Sequence, residues 1–157
     1  MTLTLSVRRV EPTDPATGPM MAELTQEYVA RYGEGARVEM ARHPLADFAG
    51  PDGALLLLFE HGEPVAGGAY RRYDERTAEL KRIWTHSAHR RRGLARRVVL
   101  ELERAAAAVG YDRVYLTTGP RQPEATALYL ATGYTALFDV TADPLTIGPL
   151  PFEKSLT

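Results

Sequence analysis

From Thr2 to Val10 the residues alternate: Leu3, Leu5 and Val7 fall on one side, Thr4, Ser6 and Arg8 on the other. A period of two belongs to a strand with one face buried. Pro12 and Pro15 end it, and Thr13 or Asp14 is placed to cap a following helix. Met20, Met21, Leu24, Tyr28 and Tyr32 then recur at helical spacing, and Gly33 and Gly35 stop that helix. Arg37 to Phe48 is ambiguous, a short helix broken by Pro44 being one reading. The continuous apolar run within Gly53 to Glu60 predicts a strand covered on both faces. His61-Gly62-Glu63 reads as a hairpin turn and Val65 to Tyr73 as the return strand. Gly67-Gly68 inside it signals a bulge or a close neighbour. Asp74-Glu75-Arg76 turns the chain again, into a strand from Thr77 to Thr85.

Beyond Thr85 the period lengthens. Leu94, Val98, Leu102, Ala105 and Val109 mark the buried face of a helix from Gly93 to Val109, closed by Gly110. Arg113 to Thr118 is a short strand. Pro123 suits the first position of a helix carrying Ala125, Leu128, Tyr129 and Thr132 and ended by Gly133. Tyr134 to Val140 and Pro151 to Leu156 read as the last two strands, around a loop from Asp143 to Pro149. Helices and strands mix along the chain around a central three-stranded meander. That order predicts an α/β (α+β mixed) sandwich on a mixed sheet, with residues 1–157 as a single domain.

Composition narrows the class. At 157 residues, 45% hydrophobic and 25% charged, the chain has the profile of one globular domain. The absence of cysteine excludes disulfides, thiolate metal sites and a cysteine nucleophile. No signal-peptide pattern follows Met1, and the strongest apolar run, Ala54 to Phe59, is far too short to span a bilayer. The expectation is a cytoplasmic protein.

The candidate chemistry sits at Arg90-Arg91-Arg92-Gly93-Leu94-Ala95, between a strand and a long helix. Backbone N–H groups at a helix start lack partners, and the helix dipole adds partial positive charge there. Together they suit a phosphate, and Gly93 permits close approach because it carries no Cβ. Between Leu80 and Leu100 lie seven Lys or Arg and no Asp or Glu, although the whole chain carries a net charge of only −1. The positive field is therefore local, which argues against nucleic acid as the partner. A solvated basic face is the alternative. No Gly-x-x-x-x-Gly-Lys-Ser/Thr run is present, which disfavours a nucleoside triphosphatase.

Arg90-x-x-Gly93-x-Ala95 resembles the Arg/Gln-x-x-Gly-x-Gly/Ala signature of the GNAT superfamily of acetyl-CoA-dependent N-acetyltransferases. It follows a strand ending in Ile83-Trp84-Thr85. Downstream, Leu128-Tyr129, then Gly133-Tyr134, resembles the family's second hallmark, and Thr118 to Ala125 looks like a common subgroup variant. The resemblance is strong from Ala78 to Tyr134. It implies a mostly antiparallel sheet of about six or seven strands with about four helices, in which strands four and five splay apart around the cofactor.

The resemblance also implies roles. Backbone amides of Arg91, Arg92, Gly93, Leu94, Ala95 and Arg96 would cradle the pyrophosphate of acetyl-CoA, with Arg90 opening the motif. The side chains of Arg91, Arg92 and Arg96 are candidates for its outer phosphates. Ile83, Trp84 and Thr85 would pair with the pantetheine arm through main-chain groups, Trp84 being equally suited to packing. Gln122 stands where many relatives bond the cofactor through asparagine, or else caps a helix. Tyr129 is the candidate general acid for the departing thiolate, against an ordinary buried tyrosine. Glu79 is the candidate general base, against a sheet carboxylate paired with Lys81 or Arg71. His86 and His61 are weaker bases, and His89 belongs to the turn. Tyr28, Tyr32, Tyr70, Arg71 and Tyr73 are candidates for the acceptor side. The expected reaction is direct attack by a primary amine, of a small molecule rather than a protein, with no metal, no membrane and no nucleic acid involved. A non-catalytic acyl-CoA sensor is the competing reading, and a homodimer is expected by analogy.

Overall fold

A computed structural model describes residues 5–42 and 44–157; the first part of the expected opening strand, Thr2 to Thr4, lies outside them. Seven strands form one sheet in the order β1-β2-β3-β4-β5-β7-β6. They are β1 (Leu5–Arg9), β2 (Ala54–Glu60), β3 (Glu63–Asp74), β4 (Thr77–Thr85), β5 (Arg113–Thr118), β6 (Thr135–Ala136) and β7 (Leu150–Ser155). Every pairing is antiparallel except β4 with β5. The helices are α1 (Gly18–Tyr32), α2 (Gly35–Arg42), α3 (Leu94–Ala108) and α4 (Pro123–Ala131).

The sheet carries a core on each face. One face packs Leu56, Tyr70 and Leu80 against Val98 and Leu102 of α3. The other packs Leu55, Leu57 and Trp84 against Met20 and Leu24 of α1. All seven residues of β2 are buried, so Leu57 and Leu58 look into opposite cores, which is why this strand reads as an unbroken apolar run. Each such leucine contributes about 1.5–3 kcal/mol on burial.

The glycine pair in β3 answers to both expectations. The β3–β4 register shifts between Gly67 and Ala69. A Cβ on Gly67 would lie 2.5 Å from Leu57 Cδ2 and 2.7 Å from Met20 Cε. One on Gly68 would lie 2.7 Å from Ile83 Cδ1. Only a bare backbone lets α1 and α3 close on the strand from both sides.

Several boundaries differ from those expected. Asp14 caps a short 3₁₀ turn, Pro15–Thr17, and α1 starts only after it. Gly33, at φ 85°, ends α1, but Gly35 begins α2. Pro44 separates α2 from a 3₁₀ turn at Leu45–Phe48. Val109 is 52% exposed, because α3 stops at Ala108 and Gly110, at φ 105°, turns the chain. Of the strand expected over Tyr134 to Val140, only Thr135–Ala136 pairs as strand. The Asp139 carboxylate then accepts the Thr141 amide at 2.9 Å and folds the segment into a turn.

Candidate functional site

The parallel ladder between β4 and β5 has three rungs, Thr77 with Arg113, Ala78 with Val114 and Glu79 with Tyr115. Beyond them β4 continues to Thr85 and β5 to Thr118, with no further rung between the two strands among the described residues. β4 stays with β3, β5 with β7, and Arg82, at φ 61°, bulges β4 where they part. The gap is a cleft of about 640 Å³, within the usual size range of a small-molecule site. Leu80 and Ile83 line one wall, Leu116 and Thr118 the other, with Tyr28 of α1 and Tyr129 of α4 closing it.

At one end of this cleft the chain enters α3. Arg91 and Gly93 are both left-handed, at φ 64° and 74°. The first bond of the helix runs from the Arg97 amide to the Gly93 carbonyl at 3.1 Å, so the preceding amides lie ahead of the ladder. Among the described residues no side chain caps Gly93. Among the described residues nothing beyond its two chain neighbours lies within 4 Å of where its Cβ would be, so the backbone conformation, not crowding, calls for glycine. Arg90, Arg91, Ala95 and Arg96 face the cleft, and Arg90 stands 3.7 Å from Glu27. Leu94 is 3% exposed, its side chain in the core. Arg92 differs from its neighbours: its guanidinium turns back to the carboxylate of Glu60 and to His89. It is not a cleft wall.

Tyr129 closes the same cleft. It is 5% exposed and packs 5.5 Å from the Tyr134 ring and 5.6 Å from Phe152. Burial pushes its phenol well above the ordinary tyrosine value, and nearby Tyr28 adds to the shift. The phenol is neutral, with its proton in place, at neutral pH. The end of α4 is held by a buried network missed in the sequence. Tyr134 donates to Glu103 Oε2 at 2.7 Å, and Lys154 reaches Glu103 at 3.0 Å and the Thr132 carbonyl at 2.9 Å.

A sequence profile of the Acetyltransferase (GNAT) family matches residues 20–134, which contains β4, the turn at Gly93, the splay and Tyr129. The chain belongs to this family. A stretch of 75 residues is 32% identical to YsnE, an uncharacterised N-acetyltransferase of Bacillus subtilis strain 168; it covers 48% of the chain and only 50% of that relative. The fold is similar to that of a Klebsiella pneumoniae protein assigned as an acyl-CoA N-acyltransferase, with TM-score 0.74, 22% identity and coverage of 98% and 99% of the two chains. It is equally similar to the PaiA N-acetyltransferase of Thermoplasma acidophilum, solved in complex with coenzyme A, with TM-score 0.74, 15% identity and coverage of 98% and 99%.

In this GNAT chain the remaining candidates separate into walls, ties and core. Trp84 is 3% exposed and donates from its indole nitrogen to Glu23 at 2.9 Å, so its side chain packs under α1. Glu23, unnoticed in the sequence, also accepts the Ser87 amide at 3.0 Å and hydroxyl at 2.6 Å. Burial alone would raise the Glu23 carboxyl, but the bonds from Ser87 and Trp84 outweigh it and hold it below the ordinary range. Ile83 and Thr85 line the cleft. Gln122 occupies the N-cap position of α4 without making a side-chain cap bond. Its Oε1 accepts instead from the Gly119 amide at 3.1 Å and the Tyr32 hydroxyl at 3.3 Å.

Glu79 stands at the last rung of the splay and is 5% exposed. Its Oε1 accepts from Arg71 Nε at 2.8 Å, while Lys81 lies 3.9 Å from Oε2. Arg71 is thus committed to a cross-strand pair. On the acceptor side Tyr28 lines the cleft and Tyr32 binds the β5–α4 loop, accepting the Arg121 amide at 3.1 Å. Tyr70 is corrected to a core residue: it is 1% exposed and packs edge-on to Tyr111 at 5.8 Å. Strand alternation turns it toward α3, away from the face carrying Arg71 and Glu79. Tyr73 is 52% exposed and lies 4.7 Å from Tyr115. His86 accepts the Ala88 amide through Nδ1 at 3.0 Å, a capping role.

Proposed function

We propose that the protein transfers an acetyl group from acetyl-CoA to a primary amine of a small molecule. The observation that carries this reading is the joining of two features by one cleft: an uncapped, left-handed turn of backbone amides at one end and a buried tyrosine in the wall. The amides from Arg91 to Arg96 suit the diphosphate of the donor, with the guanidinium groups of Arg91 and Arg96 beside them. The β4 edge freed by the splay, Ile83 to Thr85, suits the pantetheine arm.

In the proposed reaction the amine nitrogen attacks the thioester carbonyl carbon. A carbon–nitrogen bond forms, the carbon–sulfur bond breaks, and the thiolate takes the Tyr129 proton. The surplus amine proton passes to Glu79, through water because Arg71 already holds that carboxylate and Glu79 is not a cleft wall. Freed main-chain N–H groups of β4 polarise the carbonyl. Tyr28 and the polar face at the closed end of the splay would receive the acceptor.

One observation favours a second reading, an acyl-CoA-binding module without turnover: Glu79, the base proposed at the splay, is tied up by Arg71. A thiol-release screen over amines, amino acids, polyamines and aminoglycosides separates the two. Acetyl-dependent release of free thiol with at least one class supports the transferase. Tight binding of acetyl-CoA with no release from any of them supports the module.

A further inference from the structure

The three arginines ahead of Gly93 do not form one cationic surface. Arg90 and Arg91 face the cleft, whereas Arg92 points the other way, to the end of β2. Its Nη1 donates to Glu60 Oε1 at 3.1 Å and its Nη2 to Glu60 Oε2, a two-point pair. The same Nη1 stands 2.7 Å from His89 Nδ1. Arginine can only donate, so the imidazole nitrogen accepts and the ring carries its proton on Nε2.

Glu60 is a fixed point. It pairs with Leu5 of β1 on one side and Glu63 of β3 on the other, and it is 8% exposed. The hydrogen bond from Arg92 holds its carboxyl below the ordinary range, so it is charged. Arg92 in turn sits between Arg91 and Gly93, the two left-handed residues of the turn. Left-handed backbone at a non-glycine residue such as Arg91 persists only where its surroundings impose it. The Glu60–Arg92 pair is placed to impose it.

We propose that Glu60 is a positioning residue for the donor site: acting through Arg92, it holds the turn in the conformation that offers its amides to a diphosphate. This rests on the donor-site reading above. It also makes a prediction opposite in sign to simple electrostatics. A carboxylate near a phosphate site repels the ligand, and one that neutralises a phosphate-binding arginine weakens binding further. If Arg92 met the ligand directly, removing the Glu60 charge would tighten binding. If Glu60 positions the turn, removing it weakens binding.

The test is calorimetric titration of coenzyme A, and of pantetheine, which lacks the diphosphate, into the full chain and its variants. Glu60→Gln and Arg92→Ala are each expected to raise the Kd for coenzyme A roughly tenfold, and the double variant to be no worse than the weaker single one. Glu60→Asp keeps the charge but shortens the reach; it is expected to weaken coenzyme A as well, whereas a purely electrostatic role leaves it unchanged. Pantetheine affinity stays constant throughout. Unchanged or tighter binding of coenzyme A by Glu60→Gln overturns the proposal, as does an equal loss for pantetheine, which marks general damage to the fold. A full chain that binds no coenzyme A overturns the donor-site reading and this inference together; binding indifferent to Glu60 overturns this inference alone.

Discussion

Tyr129 illustrates how burial limits what a side chain can do. A phenol withdrawn from water resists ionisation, and the pKa of Tyr129 is raised well above 10.0. It stays neutral and keeps its O–H to donate a hydrogen bond, and it cannot serve as a base near neutrality. Tyr129→Phe is therefore expected to lower kcat about 100-fold while leaving the Kd for coenzyme A unchanged, measured by thiol release and by titration. The pH–rate profile of the unsubstituted chain should show no alkaline limb from this group below about pH 10. Gly93 has the opposite character: it contributes no side chain, only a φ of 74° that other residues resist. Gly93→Ala has room for its methyl. It is expected to cost about 1 kcal/mol in stability through the backbone alone and to weaken coenzyme A binding, because the turn relaxes away from the left-handed conformation.

Helix α1 braces the cleft across both lips. Near its start Glu23 binds Trp84 and Ser87 on the β4 side. At its end Arg31 donates to the Arg121 carbonyl and Tyr32 bonds the Arg121 amide and Gln122 on the β5 side. The first of these ties has a defined pH dependence. The Glu23 carboxyl is lower in the folded chain than its ordinary value of 4.5, so the folded state binds the proton less readily than the unfolded one. Its stabilisation is complete above about pH 4.5 and is lost as pH falls through the lower, folded value. Acid titration followed by the fluorescence of Trp84, the single tryptophan, should show a loss of α1 docking below about pH 4.5 that Glu23→Gln does not show. A Glu23→Gln chain with the same acid transition would remove Glu23 from that role.

For the molecule as a whole, charge is distributed unevenly. A net charge of −1 hides a basic turn whose exposed arginines, Arg91 and Arg96, border the cleft mouth. Binding of an anionic donor there should weaken as salt rises from about 0.05 to 0.5 M, because the Debye length falls well below 10 Å. Arg96→Gln should flatten that dependence, read as the slope of log Kd against log salt concentration. An unchanged slope would place Arg96 outside the site. The cleft itself belongs to no single element. It exists because β4 and β5 share only three rungs and then follow different neighbours.

Local pattern was enough to place most elements. The unbroken apolar β2, the His61–Gly62 hairpin, the glycine pair in β3 and the α3 face from Leu94 to Leu102 each carry their signal within a few neighbours. The turn at Gly93 was legible for the same reason, since helix-start geometry and positive charge are properties of a short stretch. Side-chain direction was not. Whether an arginine beside Gly93 faces the cleft or turns to Glu60, 32 residues earlier, depends on which strands lie next to it. The same holds for Tyr70, sent to the core by strand alternation, for Glu79, paired with Arg71 across a rung, and for Glu23 and Glu103. Sequence alone determined most of the helix and strand segments and where a basic helix start lies, because those follow from short-range periodicity and backbone geometry. Only the tertiary structure decided which charges meet, because an ion pair is a contact between elements that folding brings together.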